Sequence, residues 1–254
     1  MYSAWTLATL RTVPPLENVA LVTGASRGLG RVLAEFLAKQ GYGLILTARG
    51  EVELSRVAAG LAGEPSRIVA IGVDVSDPAH HHRLVKAAED WGRIDLLVNS
   101  ASELGTTPLP PLAKTSRQNV LRVFDVNVLA PLGLVQEALP LLERARGLVV
   151  NISSDAAVGG YPGWGTYGAS KAALDLVSKT LAAELRDRGV AVVSVDPGDM
   201  RTKMQQDAYP GEDISDRPLP EVTLPFWAWL LSQPPMAVSG IRYQAQASVW
   251  EVPA

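Results

Sequence analysis

The sequence contains no cysteine. That absence excludes a disulfide, a thiolate nucleophile and a thiol-ligated metal site. Nor does any stretch approach the roughly 20 apolar residues needed to cross a bilayer. Basic residues are not in excess: 23 Lys and Arg stand against 26 Asp and Glu, a net charge of −3 with no basic patch. Nucleic-acid binding has little support from such a balance. The opening MYSAWTLATLRTVPPLEN lacks the basic n-region and compact apolar core of a signal peptide. Residues 1–17 read as an extension before the first strand, and a soluble cytoplasmic protein without membrane or nucleic-acid partner is expected. No repeat or domain linker is visible, and 254 residues suffice for one large core. The three histidines are consecutive, His80, His81 and His82. On a helix successive residues diverge by about 100°, so these read as surface residues and no metal site is expected.

What is present is alternation. NVALVT (18–23), YGLILTA (42–48), RIVAIGVDV (67–75), IDLLVNSA (94–101), GLVVNIS (147–153), VAVVSVD (190–196) and IRYQAQ (241–246) read as strands. Between them fall helical stretches at 51–61, 78–91, 117–144, 167–188 and 220–231. Pro78 suits a first helical turn, and Gly189 a helix end. Repeated βα units with strands this apolar predict a parallel sheet covered on both faces by helices.

TGASRGLG, Thr23 to Gly30, sits between the first strand and a helix with apolar Val32, Leu33, Phe36 and Leu37. This is the context a dinucleotide fingerprint requires, although the spacing is GxxxGxG and not GxGxxG. Gly24 permits a tight turn, Gly28 lets backbone approach a pyrophosphate, and Gly30 permits close packing of helix on strand. Free N–H groups at the helix start favour an anion.

YGASK places Tyr167 and Lys171 four residues apart, on one face of a helix. A cation held near a phenolate lowers the phenol's pKa. The pair reads as a tuned proton donor and acceptor, with Ser154 of NISS thirteen residues before Tyr167.

TGxxxGxG near the start and YxxxK past the middle resemble the signatures of the short-chain dehydrogenase/reductase family, over roughly 18–198. The resemblance implies a Rossmann-type, doubly wound α/β fold in a single domain, 18–254, with a mainly parallel seven-stranded sheet. It implies a catalytic set of Ser154, Tyr167, Lys171 and Asn127. Ser154 would hydrogen-bond a substrate carbonyl, Tyr167 would act as general acid or base, and Lys171 would lower the tyrosine pKa and contact the nicotinamide ribose. Asn127 would hold a water beside Lys171. The implied cofactor site comprises Thr23, Gly24, Ser26, Arg27, Gly28, Leu29, Gly30, Arg49, Asp74, Val75, Asn99, Ala101, Tyr167, Lys171, Pro197, Gly198 and Thr202. Asp74 would bind the adenine amino group, and the PGxxxT turn the nicotinamide carboxamide.

The end of the second strand offers Thr47, Ala48 and Arg49, with no acid for a ribose 2′-hydroxyl. Arg27 and Arg49 could clamp a 2′-phosphate, which favours NADP(H) over NAD(H). The sequence departs from the family at Ser100 and Ser102, where NNAG becomes NSAS, and at the final strand, which lacks DGG.

The expected activity is hydride transfer between NADP(H) and a carbonyl or alcohol substrate. The alternative is a catalytically silent dinucleotide-binding sensor or interaction protein, against which the intact Ser154, Tyr167 and Lys171 argue. Another reaction on the same fold, epimerisation or dehydration, is a third reading. Residues 203–220, rich in Asp, Glu, Pro and Gly, read as a substrate lid. Tyr161 and Trp164 are candidate pocket walls; Trp227, Trp229 and Trp250 suit either a pocket or a subunit interface. The helices over 117–144 and 167–188 resemble the family's dimer-forming pair, implying a homodimer or homotetramer.

Overall fold

The computed structural model describes residues 18–61 and 67–252. The 1–17 extension lies outside them. Seven parallel strands form one sheet: β1 (Val19–Thr23), β2 (Gly43–Ala48), β3 (Ile68–Gly72), β4 (Leu96–Asn99), β5 (Leu148–Ile152), β6 (Ala191–Asp196) and β7 (Arg242–Gln244). Their order is β3-β2-β1-β4-β5-β6-β7. The chain thus winds outward from β1 in one direction, then crosses to β4 and winds in the other.

The strands are apolar throughout because both faces are covered. Successive residues of β1 point to opposite faces. Ala20 and Val22 enter a core with α1 (Gly28–Lys39), whereas Val19 and Leu21 enter a second core on the other face. That second core takes Leu84 and Val85 from α3 (Pro78–Glu89), and Leu134 and Leu141 from α5 (Ala130–Ala145). Asp77 caps α3, accepting from Ala79 N at 3.0 Å, with Pro78 in the first turn as expected.

The elements are shorter than the apolar runs. β3 stops at Gly72 and β7 at Gln244, since ladder pairing ends before hydrophobicity does. α2 (Glu51–Gly60) falls as expected. The 117–144 helix is interrupted: α4 (Arg117–Phe124) runs through a π turn, Asp125–Leu129, into α5. α6 (Gly165–Glu184) is followed by a 3₁₀ turn, Arg186–Arg188, closed by Gly189 at φ 74°. The 203–220 segment contains one short helix, α7 (Lys203–Ala208). A 3₁₀ turn, Pro220–Thr223, then leads into α8 (Leu224–Ser232) and α9 (Pro235–Val238).

One expectation fails here. His81 is buried, not on the surface: its Nε2 lies 2.8 Å from the Val75 carbonyl, and a satisfied imidazole packs readily inside. His80 bonds the Asp74 carbonyl and only His82 is exposed, so helical divergence separated the three without placing all of them outside. Among the described residues no cluster could hold a metal. Trp227 is buried, and Trp229 and Trp250 are half-buried. They pack with Phe226 and Tyr243 against the β6–β7 end of the first core.

Candidate active site

A parallel sheet whose winding reverses leaves a crevice at the carboxyl ends of its strands, beside the reversal. Here a cleft of about 750 Å³ lies at that edge. Its walls are the residues that follow each strand: Gly24 after β1, Arg49 after β2, Asp74 after β3, Ser100 to Glu103 after β4, Ser153 and Ser154 after β5, Pro197 and Gly198 after β6.

The turn after β1 is closely fitted. Gly24 has φ 69°, and a Cβ there would lie 2.9 Å from Ala101 N. A Cβ on Gly30 would lie 2.4 Å from the Gly24 carbonyl oxygen, so helix α1 could not sit this close to the turn with any other residue. Ser26, Arg27, Gly28 and Leu29 line the cleft at the start of α1, and the Arg27 side chain is exposed. Thr23 does not line the cleft. Its hydroxyl accepts from Ser100 N at 3.0 Å and Ala101 N at 2.9 Å, stapling the loop after β4 to β1.

Asp74 and Val75 are in the wall. With Asp77 capping α3, Asp74 is spared that task; its Oδ1 accepts from Ser76 N and Ser76 Oγ. Burial works against the Asp74 carboxylate, but these bonds and the charges of Arg49 and Arg122 hold its pKa below the usual value. Arg49 lines the same end, paired to Glu103 at 3.2 Å.

Asn99 points away from the cleft. It donates to Asn151 Oδ1 at 2.8 Å inside the sheet, and Asn151 donates to Ser178 on α6. Ala101 remains in the wall, as do Ser100 and Ser102 where the family motif is broken. Pro197, Gly198 and Thr202 also line the cleft; the Thr202 hydroxyl caps α7, accepting from Gln205 N at 3.2 Å.

At the β5 end stand Ser154, Tyr167 and Lys171, all in the wall. Lys171 is 1% exposed and donates from Nζ to the Ile152 carbonyl at 2.7 Å, with Nζ 5.5 Å from the Tyr167 ring centre. Burial lowers its pKa to about 8, opposed by the charge of Asp175. Tyr167 differs from the sequence expectation of a lowered pKa. Burial raises it to about 12; hydrogen bonding from Ser102 and Ser154 works the other way, and the charges of Asp196 and Asp155 raise it further. The loss of solvation outweighs the two hydroxyl hydrogen bonds that favour the phenolate.

Ser154 is half-buried and faces the cleft; its Oγ donates to Asp155 Oδ1 at 3.0 Å. Ser153 beside it is buried, with its hydroxyl unpartnered among the described residues. Trp164 stacks edge-on to Tyr167 at 5.5 Å, and with Tyr161 it lines the cleft as expected.

Asn127 lies in the π turn and is fully buried. Its Oδ1 accepts from Glu103 N at 2.8 Å and Ser102 Oγ at 3.2 Å, and its Nδ2 donates to the Glu103 carbonyl and to Ser170 Oγ. It ties the loop after β4 to helix α6 and does not touch Lys171.

Several site residues were not found from sequence. Glu103 and Asp196 line the cleft, as do Met204 and Tyr209 from the segment read as a lid. Arg242 on β7 donates from Nη2 to the Ser154 carbonyl at 2.7 Å and to Asp196 at 3.1 Å, and from Nε to Asp175 at 2.9 Å. An arginine in a short final strand carries no local signal of this role. The Ser102 contacts were signalled only as a departure from NNAG.

Comparison with known proteins agrees with this geometry. Residues 18–213 match the family described as short chain dehydrogenase. The uncharacterized oxidoreductase YciK of Escherichia coli K12 is 32% identical over 236 residues, 91% of this chain and 92% of YciK. Serine 3-dehydrogenase of Agrobacterium fabrum is 35% identical over 190 residues, 74% of each chain. Among solved structures, a short chain dehydrogenase of Escherichia coli CFT073 complexed with NADPH superposes with a TM-score of 0.82 at 31% identity, covering 92% of this chain and 99% of that one. The chain belongs to the short-chain dehydrogenase family of oxidoreductases.

Proposed function

We propose that the protein is an NADP(H)-dependent reductase of a carbonyl substrate, with Tyr167 as its general acid. The observation that carries the reading is one continuous cleft, with the glycine turn, Arg27 and Arg49 at one end and Ser154, Tyr167 and Lys171 at the other. The residues fit such a cofactor. The turn presents backbone where a Cβ on Gly24 would collide, Gly28 at φ 54° opens the helix start, and the residue directly after β2 is Arg49, with the nearest acid after it, Glu51, at the start of α2. The unpartnered hydroxyl of Ser153 lies in the wall and suits a polar ligand. Similar chains solved with NADP and with NADPH support the choice.

When bound, the nicotinamide supplies a hydride to the carbonyl carbon. The protein's task is the oxygen. Tyr167, protonated at neutral pH because its pKa is about 12, donates its proton to that oxygen as the C=O becomes CH–OH. Ser154 turns its hydroxyl from Asp155 to the same oxygen and steadies the developing charge. Lys171, fixed by the Ile152 carbonyl, stands beside the ring to favour its deprotonated form. Asn127 supports the site by holding the Ser102–Glu103 loop.

The 203–220 segment serves as a lid over substrate, with Met204 and Tyr209 already in the wall. Leu121 on α4, Leu129 at the π turn and Leu176 on α6 are 43%, 56% and 67% exposed, which supports pairing of these helices in a homodimer or homotetramer. No described helix is long and apolar enough to cross a membrane, which is consistent with a cytoplasmic enzyme. The test is NADPH consumption against a panel of ketones and aldehydes, with NADH and Tyr167→Phe in parallel. NADPH-dependent turnover that the variant loses is expected. Tight NADPH binding without any turnover would favour the sensor reading, and failure to bind either nucleotide would refute both.

A further inference from the structure

We infer that Glu103 is a specificity-determining residue that competes with the nucleotide 2′-phosphate for Arg49. The inference rests on the NADP(H) reading above and concerns a residue outside the family's motifs. Glu103 and Arg49 come from loops after different strands, 54 positions apart, and meet in the cleft wall at the end where Asp74 lies. One oxygen of Glu103, Oε2, accepts from two guanidinium groups: Arg49 Nη1 at 3.2 Å and Arg122 Nη2 at 3.1 Å. The other, Oε1, accepts from Gly105 N at 3.2 Å.

The members of this cluster differ in freedom. Glu103 has its backbone N–H and carbonyl both bound by the fully buried Asn127, and its side chain is 12% exposed. It is a fixed carboxylate. The Arg49 side chain is 55% exposed and can swing. Arg49 can therefore leave Glu103 for another anion, and Glu103 is not stranded when it does. Arg122 and the Gly105 N–H remain to satisfy the carboxylate, so the penalty for an unpaired buried charge does not arise.

A dinucleotide that carries a 2′-phosphate must draw Arg49 off this pair, and then sits near the Glu103 charge. One without the phosphate leaves the pair intact. Glu103 thus weakens NADPH binding selectively and narrows the gap between the two nucleotides.

The test is fluorescence titration of NADPH and NADH against wild type, Glu103→Gln, Arg49→Met and the double variant. Glu103→Gln keeps the shape and an amide oxygen for Gly105. The expected result is NADPH binding tighter by roughly two- to fivefold, the upper part of the range for an exposed charge pair, with NADH changed less than about 1.5-fold. That gain should vanish on the Arg49→Met background. An unchanged NADPH affinity in Glu103→Gln, an equal gain for NADH, or a gain that persists without Arg49 would each overturn the inference alone. If Arg49→Met itself leaves NADPH affinity unaltered, the assignment of Arg49 to the phosphate fails, and the inference with it.

Discussion

At the β1 end of the cleft the protein presents main chain; at the β5 end it presents side chains withdrawn from water. Gly24, Gly28 and Gly30 contribute no atoms beyond the backbone, and the charged groups near them, Arg27 and Arg49, are exposed. Tyr167 and Lys171 are 7% and 1% exposed. Exposed guanidinium groups recognise charge. Buried groups become chemically different: one pKa rises to about 12 and the other falls to about 8. In the proposed function the first end holds the cofactor and the second moves the proton.

The largest expected effect isolates the second end. Tyr167→Phe should lower the reductase kcat by roughly a thousandfold, the scale of a lost general acid, while NADPH affinity stays within a few-fold. Comparable losses in both would mean that the two ends are not separate. Gly30→Ala breaks the first end instead. Its Cβ would stand 2.4 Å from a backbone oxygen, so helix α1 must shift. Destabilisation of about 2 kcal/mol, some 5 °C by calorimetry, is expected, with NADPH binding weakened at least about tenfold. A variant with wild-type melting would contradict the tight fit.

Arg242→Met sharpens the comparison from beneath. It frees the Ser154 carbonyl and leaves Asp175 and Asp196 without their shared cation. A fall in kcat of about tenfold with cofactor affinity intact is expected, since small displacements of a reacting group are costly. Weakened NADPH binding with unchanged kcat would move Arg242's influence to the other end. The smallest effect is set by pH. Lys171, lowered to about 8, is an ammonium below that pH and neutral above it, whereas Tyr167, raised to about 12, keeps its proton throughout. The reduction rate at saturating NADPH should hold steady up to about pH 7, halve near pH 8 and decline beyond. A rate flat to pH 10 would show that the lysine charge is not needed.

The same contrast explains what was legible in the sequence. Backbone sites leave glycines, and strands buried on both faces leave apolar runs, so the glycine turn and all seven strands could be read directly. The spacing of Tyr167 and Lys171 is local and survives as well. What could not be read depends on distant contacts. The side chain of Asn99 bonds inward to Asn151 on the neighbouring strand, which leaves its main chain for the cofactor contact that the resemblance implies. Asn127 sits where a π turn re-aims the helix, and a continuous helical period conceals such a turn. The tyrosine pKa moved opposite to expectation because adjacency of Lys171 is visible in sequence and depth of burial is not. His81 found a carbonyl inside for the same reason.

Arg242 also has a meaning in time. During synthesis the glycine turn and the first strands leave the ribosome long before β7 does. The Ser154 carbonyl and the two carboxylates therefore wait for a guanidinium that arrives only with the seventh strand. The order of the polypeptide couples completion of the proposed proton-transfer site to completion of the sheet.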